Sequence, residues 1–191
     1  VIGLGSFKTD LPLFCNAANL CYKTKTLKNI KAIQQHKDIV SGDDVFNLEA
    51  FQKQGKSITA LLHPDATVWT APEKDFRSLT QQRIRWASKA RFYNNKILVA
   101  LGILVLLTNL GLILSLGLAI SAINFQYFLW LWLFKLSVDF YVLYVGNQFF
   151  KTQLCSRDYL IMLLLYPFVS VYFAVLSLRG KFNWKDRKYK V

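Results

Sequence analysis

Gln82, Arg85 and Trp86 are spaced i, i+3 and i+4, so a helix through them sets an amide, a guanidinium fork and an indole on one face. Arginine grips phosphate through paired, charge-assisted hydrogen bonds, and indole stacks on sugar rings or bases. The trio therefore suits a ligand that joins phosphate to carbohydrate. Taken alone, the cluster has a second reading of equal weight, in which Arg83 and Arg85 touch lipid phosphates and Trp86 anchors at a membrane interface. Upstream, Ser41-Gly42 leads into Asp43-Asp44, two acids at the expected start of a helix, where the dipole favours negative charge. Cys15-Asn16-Ala17-Ala18-Asn19 reads locally as a turn, because Asn tolerates turn geometry and hydrogen-bonds its own backbone.

These residues need elements to hold them. Glu73 to Asn94 is expected to form an amphipathic helix with Phe76, Leu79, Arg83, Trp86 and Ala90 recurring at intervals of three and four. Such a helix lies along a membrane surface, with Trp86, Lys89, Arg91, Phe92 and Lys96 at the headgroup level. Ahead of it, Leu11 to Phe14 reads as extended and Leu20-Cys21-Tyr22 as a strand. Thr26 to Gln35 reads as a short helix, and Val45 to Phe51 as a helix ending near Gly55. Ile58 to Leu62 and Thr67 to Thr70 read as β segments separated by a His63-Pro64-Asp65-Ala66 turn.

Composition divides the chain. Of its residues 53% are hydrophobic, and they crowd into the second half as three segments of spanning length, about 97–123, 127–145 and 159–178. The net charge of +13 concentrates in Lys74 to Lys96 and Arg179 to Lys190, on either side of those segments, where anionic headgroups lie. No nucleic-acid module accompanies the basic residues, so no nucleic-acid partner is expected. A cytosolic start followed by three full crossings leaves the basic tail outside, against the charge rule. Pro167 can break the third segment, which is therefore expected to be re-entrant or interfacial. Lys135 and Asp139, i and i+4 in the second segment, form either an internal ion pair that fixes packing or part of a lipid or glycan path. Cys15, Cys21 and Cys155 are scattered, and His36 and His63 have no partners at zinc spacing. Reduced thiols and no metal site are expected.

Cys15 to Leu20, Ser41-Gly42-Asp43-Asp44 and Gln82-Arg83-Ile84-Arg85-Trp86, in that order and followed by membrane segments, resemble the C-terminal half of a membrane-embedded family-2 glycosyltransferase. This group includes cellulose, hyaluronan and poly-N-acetylglucosamine synthases and ceramide glucosyltransferases. The closing Asn183-Trp184-Lys185-Asp186-Arg187 is also similar to the Trp-Lys-Gly-Arg tail of many bacterial members, with Asp186 in place of Gly. The resemblance implies a partial, cytosolic α/β domain of GT-A type and transfer of a sugar from a nucleotide-diphosphate donor with inversion. It implies Asp44 as the base for the acceptor hydroxyl, with Asp43 shaping the pocket. It further implies Gln82 and Arg85 on the donor pyrophosphate, supported by Arg83, and Trp86, Cys15, Asn16 and Asn19 around the acceptor. Ala17 stands where many members have Gly.

On this reading residues 1–72 are the acceptor side of the catalytic domain, 73–96 the interfacial helix, 97–178 the membrane segments and 179–191 a basic tail. The implied partners are a nucleotide-diphosphate sugar, a lipid or glycan acceptor, the membrane, and a channel or accessory subunit. A divalent cation, Mg or Mn, is implied with ligands in an upstream donor-binding half. The chain begins at Val1 without an initiator Met, so it is expected to be a piece of a longer inner-membrane protein and inactive alone. The competing expectation is a non-catalytic transporter piece or scaffold with a basic cytosolic domain, although no internal repeat supports transport.

Overall fold

A computed structural model describes residues 2–9, 11–28, 43–120, 125–152, 155–179, 181–184 and 187–190. Seven α-helices run in order among them: α1 (Ile2–Phe7), α2 (Thr24–Lys28), α3 (Asp43–Lys53), α4 (Phe76–Ala87), α5 (Lys96–Ile120), α6 (Phe125–Phe150) and α7 (Ser156–Ser177). A hairpin of β1 (Lys181–Trp184) and β2 (Arg187–Lys190) closes the chain. Its strands are antiparallel, with Phe182 opposite Tyr189 and Asn183 opposite Lys188.

The α/β expectation is overturned. Among the described residues the structure is 71% helix, the one sheet has two strands, and no GT-A-like α/β domain is present. Leu20 to Tyr22, Ile58 to Leu62 and Thr67 to Thr70 run without ladder partners among those residues. Strand-like composition fits a pleated surface but does not supply the second strand on which a ladder depends. The turn chemistry between the latter two segments does hold: Pro64–Ala66 forms a 3-10 turn, and the His63 side chain accepts from the Asp65 N–H. Most of the helix expected over Thr26 to Gln35, and Ser41-Gly42, lie outside the described residues, although α2 covers its first turn.

α3 starts at the acidic doublet and ends before Gly55, whose φ of 61° lies in the left-handed region that glycine enters without Cβ strain. Its buried side includes Val45, Phe46, Leu48 and Ala50 together with Glu49. Glu49 accepts from the backbone N–H groups of Asn94 and Asn95, at 3.0 Å each, and from the Asn94 amide. Asn95 in turn caps α5 by accepting from Ile97 and Leu98. One buried carboxylate thus ties α3 to the first turn of a long apolar helix.

α4 is shorter than the periodicity suggests. Asp75 caps it through the Ser78 N–H at 2.7 Å, Ser78 returns the bond in a capping box, and the α-helix ends at Ala87. Its buried positions are Thr80 and Ile84, not the Phe76 to Ala90 stripe. Phe76 instead stacks on Tyr172 and Phe173 of α7, and β1 packs on the same helix, with the Asn183 N–H donating to Gln81 Oε1 at 2.8 Å. Within the basic tail, β1 and β2 therefore form a hairpin docked on α4.

α5, α6 and α7 are long and apolar enough to cross a membrane, by length and composition. α7 runs unbroken through Pro167, so the proline does not end it. Lys135 pairs with Asp139 on α6 and sits 5.4 Å from the centre of the Tyr166 ring of α7. That arrangement matches an internal pair between packed helices.

Candidate functional site

The site is built where the start of α3, the turn at residues 15–19 and the end of α4 meet. Asp44, half-buried in the first turn of α3, accepts from the N–H of Val45 through Oδ1 at 2.9 Å and from that of Ala17 through Oδ2 at 3.2 Å. The Cys15 thiol donates to the Asp44 backbone carbonyl at 3.1 Å. Asn16 caps the 3-10 turn Ala17–Asn19 by accepting from Ala18 N–H, and the Asn19 amide donates to the Ala66 carbonyl at 2.6 Å. These bonds hold two sequence-distant motifs, the turn and the acidic doublet, in direct contact.

α4 brings the basic side. Arg85 is half-buried, and burial lowers its proton affinity while the Glu73 and Asp44 carboxylates oppose that change. Gln82 donates from its amide to Glu73 Oε1 at 2.6 Å, so Glu73 ties down one of the side chains expected to bind phosphate and biases the other, Arg85. Trp86 remains 44% exposed, enough for a ring to stack on it, and the Arg83 guanidinium lies 4.9 Å from its ring centre. Of the sequence-derived residues, Asp44 and Arg85 fall in one charge cluster with Asp43 alongside, and the Cys15 thiol bonds to the Asp44 backbone. Asn16 and Asn19 shape the turn, whereas Arg83 is committed to Trp86.

Three groups, Lys89, Tyr93 and Glu49, escaped the sequence reading. Lys89, read as an interfacial cation, is only 4% exposed. Burial and then Arg85 push its ammonium down to about 8, against the pull of Asp44 and Asp43. Tyr93 packs edge-on against Phe46 with 6.2 Å between ring centres, and burial, then Asp44 and Glu49, push its hydroxyl up to about 12. The signal for Lys89 was present in the sequence, since Arg85 and Lys89 are i and i+4 on one helical face. For Glu49 it was a single acid amid Phe46, Leu48 and Ala50. Burial pushes the Cys15 thiol up to about 12, with Asp44 adding to the effect, so this cysteine is a neutral donor and not a nucleophile.

Among the described residues, no group of three or more His, Cys, Asp or Glu side chains could hold a metal ion. The divalent cation implied by the resemblance has no ligand set in these residues. Comparison with protein-family models, with curated proteins and with solved structures gives no match. The cluster itself offers a fixed carboxylate within electrostatic reach of a guanidinium, with an accessible indole one residue beyond.

Proposed function

We propose that this chain is the acceptor-side and membrane-anchoring part of an inverting glycosyltransferase, which moves a sugar from a nucleotide-diphosphate donor to a lipid-linked or polysaccharide acceptor at the cytosolic face of the cell membrane. One observation carries the reading: the carboxylate of Asp44, fixed by two backbone N–H groups, shares a charge cluster with Arg85 of the Gln82–Trp86 face. In the transfer, an acceptor hydroxyl gives its proton to Asp44 as its oxygen bonds to the anomeric carbon. The bond from that carbon to the diphosphate breaks on the opposite side. Arg85 offsets the charge of the departing diphosphate, and Gln82 orients it. Trp86 stacks on the sugar ring of the acceptor, which the Cys15–Asn19 turn borders. The donor nucleobase and any divalent cation are bound by residues outside this chain.

The hydrogen bond between Gln81 and Asn183 supports a particular membrane arrangement. Three full crossings would put these residues on opposite sides of a hydrocarbon layer roughly 30 Å thick. An even number of crossings keeps them together.

Asp44→Asn in the intact, membrane-inserted protein tests the base role. Transfer should fall by about 10²–10⁴-fold with insertion unchanged, and turnover at the wild-type rate would remove Asp44 from the mechanism. The competing reading, a transporter piece or scaffold, draws on Lys135 and Asp139; their pairing with each other favours a packing role.

A further inference from the structure

α3 carries two carboxylates on different sides. Asp44 opens the helix, and Glu49 stands about 140° round the axis from it and about 7.5 Å further along. Glu49 is only 6% exposed, and a carboxylate survives such burial where hydrogen bonds replace its water. It has them. Oε1 accepts from the backbone N–H groups of Asn94 and Asn95 at 3.0 Å each, and Oε2 accepts from the Asn94 N–H at 3.2 Å and the Asn94 side-chain amide at 3.1 Å. These donors sit directly before α5, whose first turn presents unpaired N–H groups and the positive end of the helix dipole.

The chain that Glu49 grips is the run-out of α4. Ser88 closes that helix, its N–H donating to the Ile84 carbonyl at 2.9 Å and its hydroxyl to the Arg85 carbonyl at 3.2 Å. A 3-10 turn, Ala90–Phe92, follows, with the Phe92 N–H on the Lys89 carbonyl at 2.8 Å, and the Tyr93 ring meets Phe46 of α3 edge-on. Successive short bonds leave little slack between Arg85 and Asn95. α4 is thus held at both ends: Phe76, at its start, stacks on α7, and the end that carries Arg85 and Trp86 is held to α3 through Glu49.

We propose that Glu49 is a positioning residue for Arg85 and Trp86: by gripping the backbone of Asn94 and Asn95 it fixes the end of α4 against α3, so that the guanidinium and the indole stay in register with Asp44. The proposal rests on the glycosyltransferase reading and adds a consequence to it. With the end of α4 loosened, an acceptor stacked on Trp86 no longer holds its hydroxyl at the anomeric carbon. Water takes its place there, its oxygen bonding to that carbon and its proton passing to Asp44 as the diphosphate leaves, and the sugar is released free instead of transferred.

The test uses the intact protein reconstituted in vesicles of native-membrane lipid, which supply the acceptor, with UDP-glucose, UDP-N-acetylglucosamine and GDP-mannose as probe donors and Asp44→Asn as the blank. The readout is the ratio of free to transferred sugar, which does not depend on how many molecules are active. Glu49→Ala should raise it about tenfold, with KM for the donor little changed and the Asn94 and Asn95 amides opened to hydrogen exchange. Glu49→Gln should restore the wild-type ratio, because one carbonyl oxygen can still accept from both backbone N–H groups. If Glu49→Ala does not insert, Glu49→Asp carries the test: its carboxylate is one methylene short of the two amides, and the ratio should still rise. A wild-type ratio in the Ala or Asp variant with both amides exchanging freely overturns the proposal, as does undiminished protection of those amides in Glu49→Ala; the loss of transfer in Asp44→Asn would stand in either case. If wild type consumes none of the three donors above the blank, the glycosyltransferase reading fails, and the role of Glu49 fails with it.

Discussion

α3 and α6 use apolar residues in opposite ways. α3, with 11 residues, buries Val45, Phe46, Leu48 and Ala50 against neighbouring segments of the chain and can even bury Glu49, because backbone N–H groups meet its carboxylate. α6, with 26 residues, leaves Tyr127, Trp130, Phe134 and Tyr141 outward, each more than 60% exposed. The protein covers the first helix and leaves the second uncovered. A helix satisfies its own backbone hydrogen bonds, so the surface of α6 is suited to lipid, whereas the packed region around α3 can hold charges in fixed positions. Chemistry is expected where the protein itself sets the geometry.

The largest test of that contrast lies on the α3 side. Arg85→Ala should cost about 10²–10³-fold in kcat in the intact protein, through lost stabilisation of the departing diphosphate, with insertion unaffected. Undiminished turnover would break the assignment of chemistry to this region. On the α6 side the expected effect is on stability. Lys135→Leu leaves Asp139 without its cation and should cost about 3 kcal/mol in unfolding experiments on the protein in nanodiscs. The double replacement with Asp139→Leu should recover most of that loss, and a double variant as unstable as the single would show that the pair does not act as one unit.

The smallest effect concerns only which side of the membrane a residue faces. Cys21 is exposed, and Lys188→Cys places a thiol at an exposed position of the hairpin. In sealed vesicles a membrane-impermeant maleimide should reach native Cys21 and, in a background lacking the native cysteines, Lys188→Cys from the same side, without change in activity. Labelling from opposite sides would mean an odd number of crossings between α4 and the hairpin, with all three long helices covered by lipid.

How much could be read without coordinates depends on the range of the forces involved. α5, α6 and α7 were legible because each is an apolar run whose length and composition act locally, and their observed bounds lie within a few residues of 97–123, 127–145 and 159–178. The stop of α3 before Gly55 and the turn at Pro64–Ala66 were legible for the same reason, since glycine and proline restrict their own backbone. The strands expected at 20–22, 58–62 and 67–70 failed because pairing depends on a partner elsewhere in the chain, and β propensity carries no information about where that partner is.

By itself the sequence determined where the three long apolar helices, the helix ending before Gly55 and the turn at Pro64–Ala66 form, which stretches are apolar enough to cross a membrane, and which residue types could meet phosphate and sugar. Only the tertiary structure decided that the Cys15–Asn19 turn rests on the start of α3, that Glu49 holds the entry to α5, that the closing hairpin docks on α4, and that Lys89 is buried rather than interfacial. The reason is physical: helix and turn preferences are settled within a few residues, whereas burial and charge pairing depend on which distant faces come together.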